Sequence, residues 1–167
     1  MTPPFKKLST SKKGYVGEEI VKSFLNKKKF KIYRPDNDEE PHLIDLIVLC
    51  GWEIVAIDIK CKPKREFFED TGFDLKDVKK YISLQKTNKI KVAIYFCDEK
   101  AKLVYGAFLN DLMKPVKIGG KKYPLTESAG KESVVYFPLV NMKTVKKLTD
   151  EECLAIAQYS SRNNRYD

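Results

Sequence analysis

The chain has 167 residues, of which 43% are hydrophobic, so it favours one folded domain with a substantial core and excludes a disordered chain. No apolar run approaches the ~20 residues of a transmembrane helix, and the N-terminus lacks the apolar segment of a signal peptide. The formal net charge of +9 favours a polyanionic partner, nucleic acid first, although a lysine-rich composition can also serve solubility alone.

The four cysteines lie far apart in the sequence, and His42 is the single histidine. This pattern argues against a zinc site, a Ser-His-Asp triad and nuclease chemistry that depends on histidine. Unpaired cysteines that read as small core residues are typical of a reducing compartment, so we expect a cytoplasmic protein.

The first predicted element is a helix that begins near Ser9–Ser11 and runs to about Lys29, because its apolar residues recur at helical spacing. Glu18 lies on the edge of the apolar stripe, where it could face the interior or simply favour the helix N-terminal turn. A short alternating strand follows at Phe30–Arg34, and then a polar, acidic loop at Pro35–Pro41.

The stretch from Asp45 to Lys60 predicts a β-hairpin. Two apolar runs flank Gly51-Trp52, where a two-residue turn is expected. In that register Asp45 lies directly opposite Asp58, and Lys60 points to the same face as Asp58 because strand side chains alternate.

Two carboxylates side by side repel each other, and burying them costs several kcal/mol unless a positive charge lies between them. The candidates for that charge are Lys60 and a divalent cation such as Mg²⁺, which binds carboxylate oxygens. A simpler interpretation pairs Asp58 with Lys60 at a strand end and makes Asp45 a cap or turn residue. The choice depends on the register, since a slip of one residue moves Asp45 to the other face.

The chain becomes basic after the hairpin, and the aromatic residues Phe67 and Phe68 interleave with that charge. Such a segment could contact phosphates and stack on bases. The candidate nucleic-acid contacts are Lys62, Lys64 and Arg65, together with Lys12 and Lys13 near the N-terminus.

The remaining elements alternate strands and helices. Local signals predict a helix at about Leu75–Thr87 with Asp74 as its N-cap. Strands are predicted at Ile90–Cys97, Lys102–Leu109 and Ser133–Leu139, and a hairpin with Gly119-Gly120 at its turn. A capping box of Thr149 and Glu152 begins the last predicted helix.

This order of elements, with Gly17-Glu18 in a first helix, Asp45 on a second strand and Asp58-Ile-Lys60 on a third, resembles the PD-(D/E)XK nuclease superfamily. That superfamily includes restriction endonucleases, archaeal Holliday junction resolvases, and phage and repair nucleases. The resemblance implies a restriction endonuclease-like α/β fold, with a helix, a three-strand meander, a helix and a strand that form a mixed sheet with helices on both faces. Residues 1–167 would be a single nuclease-like domain, with a core at about 11–112 and a C-terminal β-hairpin and helix extension at 113–167 that the resemblance does not cover.

The resemblance also implies a metal-dependent hydrolysis of phosphodiester bonds. Lys60 would position or activate the attacking water, and Gln85, in the helix after the motif, would be an auxiliary residue. The cofactor would be Mg²⁺, with Mn²⁺ as a substitute. The ligands of the metal would be Asp45, Asp58, Glu18 and the backbone carbonyl of Ile59.

Two positions depart from the usual motif, because Ile44 replaces the proline before Asp45, and Asp58 stands where many members have glutamate. The expected partner is nucleic acid, DNA in the first place, with no membrane, and a homodimer is an option because many relatives cut two strands as dimers. Two other functions stay open. One is an inactive nucleic-acid-binding module on the same fold, and the other is a protein-interaction role through Met113–Leu139.

Overall fold

The computed structural model describes residues 9–35, 42–129 and 131–160. The strands are β1 (Lys31–Tyr33), β2 (Leu46–Cys50), β3 (Glu53–Lys60), β4 (Asp70–Asp74), β5 (Lys91–Asp98), β6 (Leu103–Phe108), β7 (Val116–Ile118), β8 (Lys121–Tyr123), β9 (Leu125–Ala129), β10 (Glu132–Pro138) and β11 (Lys143–Lys147). The helices are α1 (Ser9–Lys27), α2 (Leu75–Asn88), α3 (Leu109–Leu112) and α4 (Asp150–Ala157).

A six-stranded sheet in the order β1-β2-β3-β5-β6-β11 forms the centre of the fold. Strands β3 and β5 are parallel, and every other neighbouring pair in this sheet is antiparallel. A three-stranded sheet in the order β4-β10-β9 and a β7-β8 hairpin lie beside it. None of the helices within the described ranges is long and apolar enough to cross a membrane.

Each face of the main sheet has its own hydrophobic core. On one face, Val21 of α1 and Ile156 of α4 pack against β2 and β3 through residues such as Ile57. On the other face, α2 and the three-stranded sheet bury Tyr81 and Phe137 against β5. The helices therefore cover both sides of the sheet, as the near-continuous apolar runs of β2 and β5 predict.

The β2–β3 hairpin has the predicted register. Cys50 pairs with Glu53, and the ladder continues to Leu46 and Ile57. Gly51 supplies the positive φ of +62° that the turn requires, and this conformation is strained for residues with a Cβ. The register matters for the site, because it fixes which face carries Asp58.

The chain after Leu112 was expected to form a C-terminal extension of a β-hairpin and a helix. In the structure it also contributes strands to both larger sheets. Strand β11 pairs with β6 in the main sheet, and β10 pairs with β4 in the second sheet. The hairpin at Gly119-Gly120 and the capping box of Thr149 and Glu152 are both present as predicted. Residues 1–8, and residues 36–41 of the predicted acidic loop, lie outside the described residues.

Candidate active site

Asp45 lies one residue before β2, and its side chain turns across to β3. Its backbone N–H donates to the Ile57 carbonyl at 2.9 Å, and its Oδ2 accepts a hydrogen bond of 2.6 Å from the Ile59 N–H. Burial raises the pKa of the Asp45 carboxyl to about 8, and repulsion from the Asp58 and Glu18 carboxylates adds to this rise. Asp45 is therefore held close to other negative charges in a poorly hydrated position.

Asp58 points from β3 into the same region and is only 4% exposed. Its Oδ2 atom is buried, and Lys60 Nζ lies 3.1 Å away as an ion-pair partner. Burial raises the pKa of the Asp58 carboxyl, and the Lys60 ammonium partly opposes that rise. A buried carboxyl with a raised pKa and a specific charged partner is typical of functional sites.

Lys60 occupies the centre of the group. Its Nζ lies 3.3 Å from Asp77 Oδ2 as well as 3.1 Å from Asp58 Oδ2, and it sits 5.7 Å and 5.9 Å from the ring centroids of Phe73 and Tyr81. Burial lowers the pKa of this ammonium, but the Asp58 and Asp77 carboxylates outweigh burial and raise it overall. Lys60 is therefore a fixed positive charge beside the two carboxylates of the hairpin.

Sequence reasoning did not single out Asp77 or Tyr81 for the site. They lie four residues apart on α2, so they share one helical face, and that face meets β3. Burial and the neighbouring Asp58 carboxylate raise the pKa of the Tyr81 phenol, so it stays protonated. The sequence signal that could have found Asp77 is its spacing, because it lies one helical turn before Tyr81, and Tyr81 is an apolar residue of this predicted helix.

Glu18 lies near the group, because its charge contributes to the raised pKa of Asp45. Its carboxylate forms an ion pair with Arg34, just after β1, and Arg34 also binds Glu19 at 2.7 Å and stacks over the Tyr15 ring at 4.9 Å. The structure therefore gives Glu18 a cationic partner within the chain, which the sequence interpretation did not include.

Gln85 lies away from these carboxylates, at the opposite end of α2. Its Oε1 accepts a hydrogen bond of 3.1 Å from the Val92 N–H, and its Nε2 donates to Asn110 Oδ1 at 3.0 Å. Both ends of the amide thus link α2 to β5 and α3. The structure does not bring this predicted auxiliary residue to the site.

Four of the predicted nucleic-acid contacts are lysines, of which two have acidic partners and two are exposed. Lys13 is bound to Glu99 at 2.9 Å, and Lys64 forms an ion pair with Glu69. Lys12 and Lys62 are exposed.

The guanidinium of Arg65 is bound by neighbouring side chains of the fold and is not a free cation. Its guanidinium binds both carboxylate oxygens of buried Asp70 at 2.6 Å, reaches Glu127 at 2.9 Å, and stacks over Tyr136 at 3.6 Å. Tyr123 completes the cluster with a hydrogen bond of 2.6 Å to Asp70. Each nitrogen of the Arg65 guanidinium thus already donates a hydrogen bond within the fold, which sequence reasoning did not foresee for this predicted nucleic-acid contact.

The carboxylates of the site offer oxygen ligands of the kind that a divalent cation binds. Within residues 9–35, 42–129 and 131–160, no three His, Cys, Asp or Glu side chains converge as a preformed metal-binding group. Asp45 and Asp58 do supply two hard oxygen donors, and they lie close enough for the Asp58 carboxylate to raise the pKa of Asp45. These residues fit a cation such as Mg²⁺, which binds through one or two carboxylates and keeps several waters.

Comparisons with known proteins show the fold. No protein-family model matches the chain, and no curated protein sequence matches it. The structure is similar to that of Hjc, a Holliday junction resolvase from the archaeal hyperthermophile Archaeoglobus fulgidus, with a TM-score of 0.52 and 12% identity over 80% of this chain and 92% of that chain. A nuclease from a fusselovirus matches at a TM-score of 0.49 with 13% identity, over 97% of this chain and 98% of that chain. The predicted α/β fold, a mixed sheet with helices on both faces, is confirmed.

Proposed function

We propose that the protein is a divalent-metal-dependent nuclease that hydrolyses phosphodiester bonds, with DNA as the favoured substrate. The observation that carries the proposal is the buried Asp58 carboxylate, which lies 3.1 Å from Lys60 Nζ and close enough to Asp45 to raise the pKa of that carboxyl. The fold shared with a Holliday junction resolvase supports the same function, and the net charge of +9 suits a polyanionic substrate.

In this proposal Asp45 and Asp58 hold Mg²⁺, or Mn²⁺ in its place, and the backbone carbonyl of Ile59 and the Glu18 carboxylate complete the ligand set. When bound, the cation neutralises the two carboxylates and stabilises negative charge that develops on the phosphate. Glu18 joins this set only by loosening its ion pair with Arg34. Of the three carboxylates, Glu18 is therefore the one that changes its contacts when the cation binds.

Lys60 holds the attacking water in line with the phosphorus and stabilises negative charge through its ammonium. Asp58 and Asp77 fix that ammonium from two sides, at 3.1 and 3.3 Å, so it needs little reorganisation when the substrate binds. Phe73 and Tyr81 form an aromatic wall beside it, which limits access of bulk water. Asp77 is thus a positioning residue for Lys60.

The test incubates the protein with linear duplex, single-stranded, nicked and four-way-junction DNA, and with RNA of the same sequences, in Mg²⁺, Mn²⁺ or EDTA. We expect cleavage that requires metal and that Asp58→Asn abolishes. Asp111→Asn is the matched control, because Asp111 lies on α3 in an ion pair with Lys114 and away from the hairpin. Metal-independent cleavage, no cleavage of any substrate, or full activity in Asp58→Asn contradicts the proposal.

A second candidate is a nucleic-acid-binding module that does not cut. It is favoured by the way Arg34 neutralises Glu18, and Lys60 neutralises Asp58, without a metal. This alternative predicts salt-sensitive binding that survives Asp45→Ala and Asp58→Ala. Calorimetric binding of Mn²⁺ that these two variants remove would decide against it.

A further inference from the structure

Two cysteines lie side by side directly beneath the candidate active site. Strands β3 and β5 run parallel with Lys60 opposite Phe96, and the next residues along the two strands are Cys61 and Cys97. Neighbouring strands are about 4.8 Å apart. This spacing falls within the Cα–Cα range of about 4.4–6.8 Å that a disulfide requires.

Both thiols point to the α1 face of the sheet. Cys97 is fully buried in the core under α1, and Cys61 packs against that same core. A Cβ added at Gly17 of α1 would lie 2.2 Å from Cys61 Sγ and 3.6 Å from Cys97 Sγ, so both sulfurs lie near the same point on the helix. Interaction with the Cys61 thiol, followed by burial, raises the pKa of the Cys97 thiol, which agrees with direct contact between them.

The two thiols differ in their access to solvent. Cys61 is partly exposed and its Sγ–H donates to the Lys13 carbonyl at 3.3 Å, whereas Cys97 has no exposed surface. An oxidant can therefore reach Cys61 first, and Cys97 is placed to react with it inside the fold.

We propose that Cys61 and Cys97 form a redox modification site, at which a peroxide joins them in a disulfide that switches the neighbouring nuclease site off. The peroxide oxidises the Cys61 thiol to a sulfenic acid and is itself reduced, releasing water. The Cys97 sulfur then attacks the Cys61 sulfur, the S–S bond forms, and the sulfenic oxygen leaves as a second water. A thiol reductant restores both thiols.

The location of the pair links its oxidation to the site. Cys61 directly follows Lys60, and Gly17, at which an added Cβ would meet both sulfurs, directly precedes Glu18. A disulfide brings the sulfurs to about 2.05 Å, which moves Cys61 toward Cys97 and away from the Lys13 carbonyl. The Lys60 ammonium then loses its position between Asp58 and Asp77, where small displacements have large effects on rate.

The experiment treats the full chain with graded hydrogen peroxide, maps the crosslinks by mass spectrometry of peptides, and measures nuclease activity before and after thiol reduction. We expect a Cys61–Cys97 crosslink that a reductant reverses, accompanied by a reversible loss of activity of about tenfold to a hundredfold. Cys61→Ser and Cys97→Ala should each remove the crosslink, and the activity of Cys61→Ser should resist peroxide. Cys50→Ser is the matched control, because Cys50 is exposed at the far end of the hairpin and should leave the crosslink intact.

The outcomes separate this proposal from the proposed function, on which its regulatory part rests. Oxidation of Cys61 only to sulfinic or sulfonic acid, without a crosslink to Cys97, overturns the modification site whatever the activity. A crosslinked protein that retains full activity overturns the switch. A chain that cleaves nothing under reducing conditions contradicts the nuclease, whereas the peptide map still tests the disulfide.

Discussion

Asp45 shows how a single residue can make the stability of the fold depend on pH. Its pKa of about 8 in the fold exceeds the ordinary value of 3.8, so the folded protein retains a proton that the unfolded chain has released. The stability from this group is fully present below about pH 4 and is lost as the pH rises through 8.

We expect the free energy of unfolding of EDTA-treated protein to fall between pH 4 and 8, with Asp45 contributing at most about 1.4 kcal/mol per pH unit. Urea unfolding at several pH values measures this slope. Asp45→Asn cannot ionise and should flatten it, and Mg²⁺ should flatten it too by favouring the charged form. Identical slopes in wild type and Asp45→Asn would contradict the raised pKa.

Asp77 provides the test of how Lys60 is positioned. Asp77→Asn keeps the shape of the side chain but removes the charge that lies 3.3 Å from Lys60 Nζ. We expect kcat to fall about tenfold with little change in KM, against a loss of about a hundredfold or more for Lys60→Ala. An Asp77→Asn enzyme with an unchanged kcat would show that Asp58 alone suffices to hold the ammonium.

At the residue scale, the sequence predicted the hairpin register, which local geometry fixes. The turn at Gly51 sets the register, which brings Asp45, Asp58 and Lys60 to one region of the hairpin. The partners of these residues were harder to predict, since Asp77 reaches Lys60 from α2 across seventeen residues of chain. Such contacts depend on how elements dock, and local patterns do not encode docking.

At the element scale, α1 can approach β3 closely only because position 17 has no side chain. Glycine inside a helix costs about 0.5–1 kcal/mol relative to alanine, so Gly17→Ala would ordinarily stabilise the protein. Here the new Cβ would lie 2.2 Å from Cys61 Sγ, so we expect a destabilisation of about 1–2 kcal/mol.

A double-mutant cycle with Cys61→Ala isolates that contact. Removing the sulfur should make Gly17→Ala neutral or stabilising, as measured by urea unfolding of the four proteins. An equal cost of Gly17→Ala in both backgrounds would place the clash elsewhere.

Arg65 connects the segment after β3 to the second sheet. Arg65→Ala leaves the buried Asp70 carboxylate without its cation and removes the stack on Tyr136, so we expect the free energy of unfolding to fall by about 2–4 kcal/mol. Lys62→Ala, at an exposed position, is the control and should cost less than about 0.5 kcal/mol. Lost DNA binding at unchanged stability in Arg65→Ala would support its sequence-based role instead.

Elements with strong local signals were predicted well, and those that depend on distant pairing were missed. The capping box at Thr149 and the apolar run of β5 are local patterns, and both elements are present. Strand β4 reads Asp-Thr-Gly-Phe-Asp, which has weak strand propensity, and it exists because it pairs with β10. The lysine-rich strand β11 likewise depends on its pairing with β6.

At the scale of the whole molecule, the C-terminal segment closes the structure. Strand β11 covers the edge of β6, and Ile156 of α4 is fully buried against the core beneath α1. A chain ending after Asn141 lacks both elements and exposes an unpaired strand edge and apolar surface.

We therefore expect residues 1–141 to lose cooperative urea unfolding and to aggregate, although this fragment contains Asp45, Asp58 and Lys60. A chain ending after Ser160 keeps every described element and is the control. Cooperative unfolding of the 1–141 fragment, seen by circular dichroism, would show that it folds independently of the C-terminal segment.

The pairing of β11 with β6 also has a consequence for protein synthesis. Asp45, Asp58 and Lys60 leave the ribosome about eighty or more residues before β11 does, which at about 5–20 residues per second amounts to several seconds. Between the emergence of β6 and that of β11, about 35 residues later, the edge of β6 has no partner on the nascent chain, so a ribosome-bound intermediate is open to misassembly. The site thus reaches its final packing only after β11 and α4 have emerged, and a chain interrupted before α4 exposes surface that chaperones bind.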